Sequence, residues 1–355
     1  MKKRLTLALM IAVFVTGMAL ATGQPETEAS EAMPYAGEEL IVSAWGFNLD
    51  LIEKNIVQPF EEEHGVDVVF ETGNNSERFT RMVARRDNPQ VDVALFAGNW
   101  ALNASQEGLL QPYDPTRLSN LDDLYEMAQD PLGDQTVVGY TIQNLGIMYR
   151  TDEVEPITSW ADLARPELAG FLSVPDITTT YGPTLIYMAG AAFGDGYDDH
   201  EAGWEAIEQI ADSVTTAYGR SSELTTLVAQ EEVYAAPYTS FAWGSILDTG
   251  LPVEKAIPEE GLPGAFSTIG VAHGADNVEL AHLYIDHMLS YEVQLAQAQD
   301  LVDSPARTDV EVAPEIGEKL TYGDELIGQL HFFDLQEISE NQDEWIERWN
   351  QIFSE

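Results

Sequence analysis

The chain has 355 residues, 61 Asp and Glu against 16 Lys and Arg, a formal net charge of -45 and no cysteine. The missing cysteines exclude disulfides, thiolate metal sites and a Cys nucleophile, and the negative field opposes nucleic acid and anionic membrane surfaces. Apolar residues make up 45% of the chain, as in folded globular proteins, and the length exceeds what one core usually supports, so two lobes are expected.

Lys2, Lys3 and Arg4 precede a mostly apolar run from Leu5 to Leu20, and Ala19, Leu20 and Ala21 have the small-x-small pattern that signal peptidase recognises. Residues 1–21 therefore read as an export signal cleaved after Ala21, and the run is short for a membrane span. The mature chain has no Cys for lipid attachment, so it is expected free in the periplasm. Residues 22–38, polar and acidic with Pro25 and Pro34, read as a flexible linker. Removing the leader takes away three positive charges and no acids. Acids spread this evenly suit a protein working in high salt, where self-repulsion is screened.

Structure is expected from Glu39. The runs 39–44, 66–70 and 91–96 are β-rich, with helical spacing between them (Leu51, Ile52, Ile56, Phe60) and a cap at 74–76, which predicts parallel β-α-β units. In such sheets ligands bind beyond the carboxyl ends of the strands. The segments found there hold Trp45, Phe47 and Asn48, then Asn74, then Asn99 and Trp100. The apolar runs 137–142 and 145–149 could cross between lobes. A second α/β set follows: a strand at 171–174 running into Asp176 and Thr178 to Thr180, a helix from about Tyr181, and a strand at 233–238 ending in Thr239 and Ser240. Residues 266–272 form a further strand and 277–290 a helix. The last helix carries Trp345, Ile346, Trp349 and Phe353, which are expected to pack against a lobe, and Trp243 is expected in the core.

No G-x-S-x-G, H-E-x-x-H or phosphate-binding P-loop pattern occurs, and the six histidines are dispersed. No metal or cofactor is expected. Asp195 to Asp199 lack an alternating calcium-ligand set and read as a turn into an acidic helix start. On the residues alone, a two-domain α/β hydrolase and an acidic surface-interaction protein stay open beside a binding protein.

The order of several segments resembles the bacterial extracellular solute-binding proteins of the spermidine/putrescine-binding type. Residues 91–95 with 107–111, 158–163 with 166–170, 250–253 with 258–261, 277–286 and 304–307 carry the likeness. It implies a two-lobed, type II-like periplasmic-binding-protein fold with mixed sheets, flanking helices and a hinge of crossing strands. Lobe one is expected at 37–138 plus 264–308 and lobe two at 139–263 plus 309–355. It also implies a monomeric, non-enzymatic binder that delivers a small solute to an ABC permease in the inner membrane. The family's second-lobe acid positions fall near Ile177 and Thr180, its later indole position falls near Thr239, beside Tyr238, and a further aromatic and acid fall near Ala265 and Ser267. The site is therefore expected at Trp45, Phe47, Asn48, Asn74, Asn99, Trp100, Asp176, Thr178, Thr180, Tyr181, Tyr238, Thr239, Ser240, Phe266 and Ser267. With few acids among them, they suit a neutral or singly charged solute better than a polyamine. Arg220 and Arg78 are expected either to meet an anionic group or to form salt bridges.

Overall fold

The structure, a computed structural model, describes residues 33–353. The expected leader, its cleavage after Ala21 and most of the expected linker lie outside the described residues.

The first three β-rich runs form β1 (Glu39–Ala44), β2 (Asp67–Thr72) and β3 (Val93–Ala97). β1 lies between the other two and parallel to both, with Leu40 opposite Val68 and Val42 opposite Val93. Local chemistry fixes the turns. Gly65 ends the first helical stretch at φ 70°, a left-handed conformation that glycine adopts without a Cβ clash. Asn74 caps the helix Asn75–Ala84 by accepting from Glu77 N, and Glu77 returns the bond to Asn74 N.

The remaining strands are β4 (Leu110–Gln111), β5 (Val138–Arg150), β6 (Leu172–Pro175), β7 (Val214–Tyr218), β8 (Ala235–Thr239), β9 (Val253–Ala256), β10 (Leu262–Ala272) and β11 (Leu330–His331). The main order is β2-β1-β3-β10-β5-β8-β6-β7; β4 and β11 pair with β10, and β9 with β5. The two runs expected around 137–149 are one strand of 13 residues. Gln143 and Asn144, which separate them in sequence, keep the ladder going by pairing with Ala265 and Gly264 of antiparallel β10. The helix expected from about Tyr181 starts at Thr184, because residues 176–182 form turns closed by Thr179 N on Asp176 O and Gly182 N on Thr179 Oγ1.

Apolar side chains gather on either side of the β5–β10 crossing. One core takes β1 to β3, the helix Val278–Met288 and the first half of β5 (Val138, Tyr140, Ile142). Another takes the second half of β5 (Leu145, Ile147, Tyr149), β6 and the helices Thr184–Phe193 and His200–Ala211. Burial of apolar surface drives both. The helix Leu335–Phe353 docks on the second core through Ile338, Trp345 and Trp349, which share one helical face. Trp243 is buried beside Tyr238 in an adjoining cluster.

Candidate functional site

A cavity of about 520 Å³ opens between the two cores. Gly98, Asn99 and Leu102 border it from the helix Gly98–Gln106, and residues 127–132 from the segment before β5. Thr180, Tyr181 and Thr184 approach from the second core. Gly264, Ala265, Phe266 and Thr268 of β10, with Phe332, Phe333, Asp334, Leu335, Gln336 and Ile338, complete the lining.

Its aromatic wall is built by two glycines. Phe266 stacks on Phe332 with ring centroids 4.9 Å apart and planes 9° apart. A Cβ on Gly139 would stand 2.8 Å from the Phe266 ring, and one on Gly264 would stand 2.8 Å from the Phe332 ring. Both glycines therefore make room for the stack.

Two polar atoms at the cavity lack partners. Asn99 Oδ1 and the Tyr181 hydroxyl are buried without a hydrogen bond, and their residues are 9% and 3% exposed. Burial pushes the Tyr181 pKa far up, so the phenol stays neutral. A buried polar group without a partner costs about 1–3 kcal/mol, and since neither atom exposes surface to the cavity, a bound molecule reaches them only when their side chains shift. Asn99 belongs to the helix that follows β3, and Tyr181 packs in the second core.

The rim shows contacts across the crossing. Gln106 Nε2 donates to Gln336 Oε1 at 2.6 Å, and Ser339 Oγ donates to Asn103 Oδ1 at 3.3 Å. On another side, exposed Phe47 faces Phe241 with centroids 6.2 Å apart.

Of the residues picked out in the sequence, Asn99, Thr180, Tyr181 and Phe266 line this cavity. The others sit elsewhere. Trp45 is half-buried against the first core, with the Arg78 guanidinium 4.7 Å from its ring centre. Asn48 starts a short helix at φ 51°, and Asn74 is a helix cap. Trp100 sits edge-on to Phe79 at 5.5 Å. Asp176 Oδ1 accepts from Thr178 N at 2.9 Å, which closes a turn that also holds Thr178. Tyr238 is buried against Trp243, and the hydroxyls of Thr239 and Ser221 share a bond of 2.9 Å. Ser240 Oγ accepts from Asn144 N, and Ser267 Oγ accepts from Gln143 Nε2, both at 3.2 Å.

The two arginines part company. Arg78 is fully buried and pairs with no carboxylate among the described residues. It donates instead to the carbonyls of Gly73, Ser43 and Leu95 and to Asn75 Oδ1, which ties together the carboxyl ends of β1 and β3. Arg220 is exposed and has no ion pair among the described residues.

Sequence reasoning missed Asp130, Phe332, Asp334 and Gln336, all on the lining. One signal was readable: Asp334 stands before a helical run and caps it, accepting from Gln336 N at 2.8 Å. The aromatic pair ahead of that cap, Phe332 and Phe333, is what reaches the cavity. Among the described residues no group of His, Asp or Glu is arranged to hold a metal ion, and no helix is long and apolar enough to cross a membrane.

The family model for bacterial extracellular solute-binding proteins matches residues 55–320. The chain belongs to that family. A crystal structure of an ABC transporter from Clostridium perfringens is 32% identical, with 88% of this chain and 99% of that one covered and a TM-score of 0.80. The spermidine/putrescine-binding periplasmic protein of Salmonella typhimurium is 23% identical over 291 residues, 80% of each chain. The spermidine/putrescine substrate-binding protein of Streptococcus pneumoniae shares the fold, at 18% identity and a TM-score of 0.74, over 89% of this chain and 99% of that one. Like these relatives, this solute-binding protein is the substrate-binding component of an ABC transporter, with the two-lobed periplasmic-binding-protein fold. Its relatives serve transport, not catalysis, and the family works outside the inner membrane.

Proposed function

We propose that this solute-binding protein is released into the periplasm by cleavage after Ala21, without a lipid tether, and captures one small polar organic molecule in the cavity between its cores. The observation that supports this reading is the cavity of about 520 Å³ itself, lined by Asn99 from the helix after β3 and by Tyr181 from the second core. A molecule that fills the cavity touches residues from both sides and holds them together. Such a ligand binds the closed arrangement better than the open one and shifts the population toward it.

The closing bodies are lobe one, 37–138 plus 264–308, and lobe two, 139–263 plus 309–355. The cores divide near 142–145 and near 256–262, close to the first two of these bounds, while Ile327 and Leu330 of the last segment pack with the first core. The closed monomer then presents both lobes to the permease in the inner membrane. The role is binding and not catalysis, in keeping with relatives that serve transport. The charge of -45 adapts the protein to high salt.

A thermal-unfolding screen tests the function. Protein is unfolded and refolded to strip any ligand, then mixed with polyamines, amino acids, sugars, thiamine-like cations and phosphonates. One compound class should raise the midpoint with concentration. Absence of any response, together with turnover of an ester substrate, would refute a binding role.

A further inference from the structure

Beside the β5–β10 crossing lies a smaller cavity that shares no lining residue with the solute cavity. Its volume of about 20 Å³ suits one water molecule or small ion. Gln143 of β5 borders it, with Ser240 and Gly244 after β8, residues 301–304 after the helix Tyr291–Gln299, and Lys319. Leu301 ends that helix at φ 56°, a left-handed conformation that residues other than glycine adopt uncommonly. Asp303 supplies the only carboxylate on the lining, and only neutral groups meet it. Gln297 Nε2 donates to its Oδ2 over a long 3.5 Å, and the Thr141 hydroxyl is its other partner. Lys319 is exposed, and neither it nor Asp303 forms an ion pair among the described residues. A carboxylate enclosed with neutral partners calls for a proton or a cation. The other lining oxygens have capacity to spare. Ser240 Oγ accepts from Asn144 N at 3.2 Å and Ser304 Oγ accepts from Thr321 N at 2.9 Å, which leaves each hydroxyl a second lone pair. Gln143 spends its Nε2 on Ser267, and its Oε1 accepts no bond among the described residues.

From this chemistry we infer that the smaller cavity is a site for one sodium or potassium ion, held by the Asp303 carboxylate with oxygens of Ser240, Ser304 and Gln143. One negative charge among neutral oxygens matches a monovalent ion. Magnesium keeps several waters that this cavity has no room for, and calcium sites draw on several carboxylates. The ion joins β5 to the turn after β8 and to the segment after the helix Tyr291–Gln299. It therefore braces the strand on which the two cores divide, and it does so without a solute. In its absence the carboxylate takes up a proton instead.

The test compares thermal midpoints at about pH 8, where the carboxylate is ionised, in sodium, potassium and tetramethylammonium chloride. Holding ionic strength constant separates a site from general screening. The parent should unfold about 2 °C or more higher in the sodium or the potassium salt than in the tetramethylammonium salt, and the gain should saturate with concentration. Asp303→Asn should lose the gain. Ser240→Ala, which keeps the carboxylate, should need about fivefold more of the ion to reach half of it. Asp122→Asn, which removes an exposed charge elsewhere, should keep the gain whole. Equal parent midpoints in the three salts, or a gain that Asp303→Asn retains, overturns the site. A half-maximal concentration unmoved in Ser240→Ala overturns this cavity as the place of binding. A gain seen only in Lys319→Gln also overturns it, because Lys319 would then be the cation that Asp303 already has.

Discussion

Arg78 and Asp303 show how far a residue's environment departs from its type. Arg78, surrounded in sequence by charged and polar neighbours, is a buried brace that satisfies the carbonyls of Ser43, Gly73 and Leu95. Each stranded carbonyl costs about 1–3 kcal/mol, so Arg78→Met should lower unfolding free energy by about 3 kcal/mol or more in urea titration. A loss below about 1 kcal/mol would contradict the bracing role. Asp303 lies beside the hinge strand, where desolvation raises its pKa to about 7 against smaller opposing bonds from Thr141 and Gln297. The unfolded carboxyl titrates near about 4. Between these values the native state holds a proton that the unfolded state has lost, so this group's contribution to stability falls as pH rises from about 4 to about 7. Asp303→Asn should remove that decline when its stability profile is subtracted from the parent's. Parallel profiles would place the carboxylate in contact with water. Neither environment is legible in sequence, because both depend on strands distant along the chain.

Elements were legible where a periodic pattern met a local stop signal. β1 to β3 and their helices follow from alternating apolar runs with the Asn74 cap and Gly65, and the aromatic face of the last helix follows from its spacing. The continuity of β5 through Gln143 and Asn144 was not legible, because it is fixed by pairing with β10, more than a hundred residues on. The same limit applies to the site. Asn99 at a helix start, Thr180 and Tyr181 between a strand and a helix, and Phe266 in β10 stand at places that sequence can locate, whereas Asp130 and Asp334 reach the cavity only through the packing of the segment before β5 and of the C-terminal helix. That helix sets the position of the cavity wall, and Trp349, 2% exposed, is its main anchor. Trp349→Ala should cost about 3–5 kcal/mol and weaken solute binding as residues 332–338 lose their support. Calorimetric unfolding and a titration check both. A variant that loses stability and binds as the parent does would separate the helix from the site.

At the scale of the molecule, the excess of acids works against the compact state, and only some of the 61 find a cation. Salt screens the repulsion over a Debye length of about 10 Å at 0.1 M and about 3 Å at 1 M. The thermal midpoint should therefore rise steadily across that range in potassium chloride, and a flat or falling midpoint would remove the argument for salt adaptation. Two cores joined by β5 and β10, with a cavity between them, are the arrangement that makes capture by closure possible. The central claim is that a solute satisfies the orphaned groups of that cavity, and Tyr181→Phe isolates it. The substitution deletes one unpartnered hydroxyl, so the ligand-free variant should unfold at the same temperature as the parent or higher. The midpoint rise that a bound solute produces should shrink in the variant. If the variant is less stable without solute, or responds to solute as fully as the parent, the Tyr181 hydroxyl is not waiting for a ligand and the account is wrong.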